Sequence, residues 1–135
     1  HNFTSIEDIY IEIEYWDLNI EFKNTAIIHI INELNITLFA SNEFNSPKWE
    51  ANHKLKGAII KATCKIPRKF LAEGKYGVLV AVGSYNPNII NVLLKQALTF
   101  SVNDGIDSVD TVKKGTIGKW PGIIRPLLEW EILNI

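Results

Sequence analysis

Ile9-Tyr10-Ile11-Glu12-Ile13-Glu14-Tyr15-Trp16 sends Ile9, Ile11, Ile13 and Tyr15 to one side and Tyr10, Glu12, Glu14 and Trp16 to the other. A period of two in β-branched and aromatic residues is the signature of a strand with one dry face and one wet face. Trp16 and Tyr10 then stand on the wet side. The same alternation recurs along the chain. Residues 25–31 place Ile27, His29 and Ile31 opposite Ala26, Ile28 and Ile30, apolar on both faces, as expected of a central strand. Asn32-Glu33-Leu34-Asn35 reads as a hairpin turn into residues 36–40. Residues 58–66 turn Ile60, Ala62, Cys64 and Ile66 inward, and Pro67 stops that strand. Arg68 to Gly74 reads as a short helical turn closed by glycine. In residues 76–84, Tyr76, Val78, Val80 and Val82 share a face, and the small residues opposite, Gly77 and Gly83 among them, call for a bulky neighbour. Residues 89–95 are ambiguous between strand and buried helical turn, and 97–102 form a strand.

The end of the chain, Trp120-Pro121-Gly122-Ile123-Ile124-Arg125-Pro126-Leu127-Leu128-Glu129-Trp130-Glu131-Ile132, begins with a turn pair and continues as a two-faced strand. It carries too much apolar bulk for a disordered tail, so it completes either its own domain's sheet or a partner's. Residues 103–118, polar and glycine-containing, are the expected flexible connector to a terminal strand over 119–135. The patterning as a whole gives one domain, 1–135, all-β: an antiparallel, immunoglobulin-like or jelly-roll β-sandwich of about eight strands.

Composition narrows the function. An apolar fraction of 47% in 135 residues supports a full core without metals or several disulfides. A net charge of −1 gives no electrostatic reason to expect nucleic acid or an anionic membrane as partner. No apolar run approaches the length of a membrane helix, and no secretory leader is visible. His1 in place of an initiator methionine points to a fragment or processed chain and takes no functional weight. A lone cysteine, Cys64, cannot form an intramolecular disulfide, which favours a reducing compartment.

Catalytic and metal readings are weak. Glu12/Glu14 and Glu129/Glu131 lie two apart on strands, so each pair points one way, whereas a glycosidase needs carboxylates across a cleft. His29 and His53 are distant in sequence, and no cysteine pair supports zinc. His29 reads as a hydrogen-bonded core histidine and Cys64 as a small buried hydrophobe. The tripeptides Asn2-Phe3-Thr4 and Asn35-Ile36-Thr37 match a glycosylation sequon but arise easily by chance. No phosphate-binding glycine loop is present. The expectation is a non-enzyme with no cofactor and no metal.

Three segments together resemble a known family: Cys64-Lys65-Ile66-Pro67-Arg68-Lys69-Phe70-Leu71-Ala72-Glu73-Gly74-Lys75-Tyr76, Ala97-Leu98-Thr99-Phe100-Ser101-Val102-Asn103-Asp104, and Trp120 to Trp130 as quoted above, with Ile11 to Trp16 in support. They resemble the C-terminal domain of Wzt-type proteins, the ATP-binding subunits of bacterial ABC transporters that export O-antigen polysaccharide in lipopolysaccharide biosynthesis. The resemblance spans nearly the whole chain. It implies a carbohydrate-binding β-sandwich that selects the glycan at the cytoplasmic side of the inner membrane. It also implies partnership with the transporter's membrane subunit and ATPase domain, and homodimers formed by domain swap of the C-terminal strand. The family usually has a glycine in the hairpin at 32–35; here Asn35 can take the left-handed conformation.

If sugar is the ligand, aromatic faces and amides are the groups to look for. The long polar loop 41–56 supplies Trp49 with Phe44, Asn52 and His53, the turn at 85–88 supplies Tyr85 with Asn86 and Asn88, and Trp16 is a third place. Packing that merely anchors these loops is the plainer alternative for each. Trp120, Arg125, Leu127, Leu128 and Trp130 are the candidates for a dimer or strand-exchange interface, Arg125 as a bidentate partner for a carboxylate. Two other functions stay open: a structural or dimerisation module that binds no sugar, and a carbohydrate-binding module of a secreted glycan-active enzyme.

Overall fold

A computed structural model of the chain describes residues 1–18, 23–47, 59–84, 88–103, 122–124 and 128–133. It is all-β. Among the described residues the strands are β1 (Asn2–Thr4), β2 (Ile9–Trp16), β3 (Thr25–Asn32), β4 (Thr37–Asn42), β5 (Ile59–Ile66), β6 (Gly74–Ser84) and β7 (Ile89–Asn103), with a 3-10 turn at Glu43–Asn45. Five strands form one sheet in the order β1-β7-β6-β3-β4, and β2 and β5 form a second. All pairs are antiparallel except β1 with β7, which is parallel.

The central position expected of β3 follows from its two apolar faces: it lies between β6 and β4. Ile28 and Ile30 look toward the second sheet, opposite Val80 and Val78 in register on β6. Ile30 and Val78 are fully buried. Ile9 and Ile11 of β2, Ile66 of β5 and Leu71 close over them, with Tyr76, Phe100 and Val102 completing the core. The rings of Tyr76 and Phe100 stack with centroids 5.5 Å apart, and Phe3 of β1 meets Phe100 edge-on at 5.9 Å. The β2–β5 ladder keeps the alternation of its sequence, with Tyr10, Glu12, Glu14 and Trp16 outward. Asn35 sits at φ 61° in the β3–β4 hairpin, where its backbone N–H donates to the Asn32 carbonyl at 3.0 Å.

Several local expectations change. Arg68 to Gly74 is not a helical turn: Lys69 turns the chain at φ 59°, Leu71 and Ala72 are extended and buried, and Gly74 opens β6. The reason is a pairing partner. Leu71 forms an antiparallel bridge with Ile124, and the Ala72 N–H donates to the Ile123 carbonyl at 2.8 Å. The ambiguous stretch 89–95 is strand, continuous with 97–102 as the 15-residue β7. The small residues of β6 have different causes. At Gly83 the backbone of Ile89 on β7 leaves no room for a Cβ, while nothing stands within 4 Å of where a Cβ on Gly77 would be. His29 is half-buried on the face of β3 turned away from the core, beside Ile27 and Ile31, and is not the hydrogen-bonded core histidine expected. The connector 103–118 lies outside the described residues except for Asn103, which ends β7.

Asp8 fastens the start of β2 to the turn after β5. Its carboxylate accepts the Arg68 backbone N–H at 2.8 Å and lies 3.4 Å from both Lys65 Nζ and Arg68 Nη2. The Arg68 N–H, then the Arg68 side chain and Lys65, hold the Asp8 carboxyl below its ordinary value. A depressed folded-state pKa stabilises above the unfolded carboxylate range, and the effect is lost as pH falls through the folded value. Asp8→Asn should therefore lower the urea midpoint at pH 7, and the gap from the parent should close as pH is taken down through the carboxylate range. A gap independent of pH would rule out this role.

Candidate functional site

One end of the sandwich gathers most of the polar groups that are buried. Asp17, Asn24, Thr25 and Ser84 are all nearly inaccessible there. Asn24 Nδ2 donates to Asp17 Oδ1 at 3.0 Å, and Asn91 Nδ2 of β7 donates to Asn24 Oδ1 at 2.8 Å. The 3-10 turn is nailed to the same place. Glu43 Oε1 accepts the Tyr15 hydroxyl at 2.6 Å and the Ala26 N–H at 3.2 Å, while the Phe44 N–H donates to Thr25 Oγ1 at 2.9 Å. Burial, and then the bond to the Glu43 carboxylate, push the Tyr15 hydroxyl far above its ordinary pKa, so it remains a donor. These bonds order the backbone around the loops at this end.

The described sugar-contact candidates converge on that end. Phe44 is 48% exposed on the fastened turn. Trp16, 66% exposed, ends β2 next to Tyr15 and faces the exposed Ile59 across the ladder. Asn88 is exposed and immediately precedes Ile89, the residue paired with Ser84. Trp49, Asn52, His53, Tyr85 and Asn86 lie outside the described residues. Sequence reasoning placed Phe44, Trp16 and Asn88 in three separate regions; the β2–β5 ladder and the β3–β6–β7 ladders bring them to one end. It missed Glu43, Asp17 and Asn24, because a lone acid or amide in a polar loop has no pattern that separates an anchor from a solvated side chain.

Beside the turn, a cleft of about 410 Å3 opens along the edge between the two sheets. Ile13 and Ile28 form its apolar floor, with Ser41, Asn45 and Thr63 on its walls. Its ionic groups are engaged: Glu43 as above, Lys61 with Glu12 at 3.1 Å, and Lys65 with Asp8. Burial raises the pKa of the Cys64 thiol, against a smaller opposing effect of the Ser41 hydrogen bond, so the group stays protonated near neutrality. Hydrogen-bonding walls over an apolar floor are suited to holding a ligand. No group of three or more His, Cys, Asp or Glu positioned for a metal occurs among the described residues. No helix among them is long and apolar enough to cross a membrane.

Of the interface candidates, Trp120, Arg125 and Leu127 lie outside the described residues. Leu128 and Trp130 are 67% and 85% exposed, and residues 128–133 join neither sheet of their own chain. Gly122–Ile124, in contrast, is held on Leu71 and Ala72 and receives the Tyr76 hydroxyl at 3.3 Å on the Ile123 carbonyl.

In sequence, no protein-family model and no curated protein matches the chain. In structure, the crystal structure of the C-terminal domain of Wzt superposes on 98% of this chain and 74% of its own, with a TM-score of 0.68 and 11% identity. The chain has the fold of the Wzt C-terminal domain. The Wzt-like sandwich, with one five-stranded and one two-stranded sheet, is thus the architecture that its alternating strands implied.

If Glu43 is the anchor of this end, Glu43→Ala strips the Ala26 N–H and the Tyr15 hydroxyl of their shared acceptor. The expected loss is about 1–3 kcal/mol of stability. Guanidinium unfolding followed by tryptophan fluorescence measures it, and a loss below the error of that method would show the turn to be held otherwise.

Proposed function

We propose that this chain is a non-catalytic glycan-recognition domain of a bacterial polysaccharide ABC exporter, binding O-antigen-type polysaccharide at the cytoplasmic face of the inner membrane. The observation that carries the reading is the Wzt C-terminal fold over 98% of the chain. The exposed Phe44, Trp16 and Asn88 on a braced loop end, next to a cleft, support it. Trp49, Asn52, His53, Tyr85 and Asn86, close to Phe44 or Asn88 in sequence, complete the proposed contact set. Transporter membrane and ATPase partners follow from the same resemblance. Millimolar affinity is about −4 kcal/mol. One or two stacked rings at about 0.5–1.5 kcal/mol each, with a few hydrogen bonds, supply that much.

Weak sites become effective when paired, since the second engagement is intramolecular. Two uncovered apolar surfaces support a homodimer by strand exchange. Val92, Leu94 and Leu98 share the core-facing side of β7 with Phe100 but are exposed, and the tail leaves Leu128, Trp130 and Ile132 exposed. In this proposal the crossing arm starts after Ile124, beyond the stretch held on Leu71 and Ala72, and the expected connector 103–118 precedes it. Arg125, Leu127, Leu128 and Trp130 would lie in the exchanged arm, with Trp120 before it.

Titration with the polysaccharide of the source strain should perturb the amide NMR signals of Trp16, Phe44 and Asn88, and Trp49→Ala with Tyr85→Ala should weaken binding by about tenfold or more. Saturating polysaccharide without shifts at this end would reject the site. At high micromolar concentration the full chain should sediment as a dimer and a chain ended at Ile124 as a monomer. A monomeric full chain would reject the exchange.

A further inference from the structure

On the outer face of the five-stranded sheet, away from the braced loop end, a hollow of about 500 Å3 lies over β6. Its origin is local. Gly77 leaves its place on that face empty, with nothing within 4 Å of a notional Cβ, between Ile31 of β3 and Thr99 of β7. Next to it the β6–β7 register breaks. Val78 pairs with Leu98 and Val80 with Leu94, so Lys95, Gln96 and Ala97 stand opposite Leu79 alone. A bulge of this kind re-aims side chains, and Lys95 and Gln96 line the hollow.

Several of the groups around it are donors with no partner among the described residues. Asn32 Oδ1 accepts the N–H groups of Leu34 at 3.0 Å and Ile36 at 2.9 Å, which fixes the amide, and among the described residues its Nδ2 has no acceptor. Among the described residues, neither Lys75 Nζ nor Lys95 Nζ has an ion-pair partner. Glu33 also lines the hollow and accepts the Lys75 backbone N–H at 3.4 Å, leaving two cations to one anion. Unpaired ammonium and amide donors over a Gly77–Ile31 floor favour a ligand with an apolar ring face and an anionic substituent.

We infer that the Gly77 hollow is a second ligand site, separate from the loop end, that takes a carboxylate-bearing sugar residue of the uronic acid class. The saccharide part of this inference rests on the glycan reading above; the charge preference rests on Lys75, Lys95 and Asn32. Lys95 and Lys75 hold the carboxylate, Asn32 Nδ2 and Gln96 hydrogen-bond ring hydroxyls, and the missing side chain at Gly77 admits the ring.

The test is NMR titration of the 135-residue chain with tri-galacturonate, the neutral galactose trimer and inorganic phosphate. Tri-galacturonate should shift the amides of Gly77, Lys95 and Thr99 with millimolar affinity, and the neutral trimer should bind there about tenfold more weakly. Shifts at Trp16 and Phe44 report the loop end, so either site can fail alone. Gly77→Val fills empty space on a strand and suits it. It should abolish the Gly77-face shifts while the thermal midpoint holds or rises. Lys95→Gln should weaken tri-galacturonate about fivefold or more and leave the neutral trimer unchanged. The inference is overturned by equal binding of the two trimers, by phosphate alone binding as well as tri-galacturonate, by a folded Gly77→Val chain that still binds, or by no shift on this face.

Discussion

The packing of Ile9 and Ile11 of β2 onto Ile28, Ile30 and Val78 of the larger sheet is the contact on which the rest of the molecule depends. It is also an unequal one, because a sheet of two strands faces a sheet of five. Where β2, β5 and the Leu71 segment reach, the core closes completely. Where they do not reach, along the first part of β7, leucines and valines of the inward face remain in water. Exposed apolar surface of this extent is a candidate interaction surface. Dimerisation through the tail is therefore proposed from a deficit in the fold as much as from a resemblance.

Much of this was readable beforehand because alternation is a direct record of two-sided environments. β2, β3, β5 and β6 carry it, and Asn35 takes the left-handed conformation allowed to it where the resembled family usually has a glycine. β7 was harder. Residues 89–94 are apolar at nearly every position, which erases the period, and the strand's two register breaks shift the phase further. The turn after Pro67 was misread for a different reason. Its local sequence suits a helical turn, but backbone pairing of Leu71 and Ala72 with Ile123 and Ile124, some fifty residues on, overrides local preference. For the candidate site, residue types could be picked out and their meeting point could not. Phe44, Trp16 and Asn88 share an end because of strand order, which one sequence does not display.

The end of the sandwich that carries Trp16, Phe44 and Asn88 rests on a buried polar network. The Asp17–Asn24–Asn91 chain of hydrogen bonds and the Glu43 anchor brace the ends of β2, β3 and β7 below the loops. In general, a fixed platform under loops lets binding be altered by changing few side chains. The bulge at Lys95–Ala97 and the bare Gly77 are a comparable local change on the opposite surface, made without disturbing the inward face.

The unusual length of β7 has its own dynamic meaning. Its last residues, around Phe100 and Val102, lie under the core and between β1 and β6, so they open only when the whole domain opens. Its middle residues, from Val92 to Leu98, pair with β6 alone among the described strands and bury little, so that stretch can loosen at far smaller cost although Asn91 pins the start of the strand to Asn24. One continuous ribbon of backbone therefore joins the most persistent part of the fold to a stretch held far less firmly.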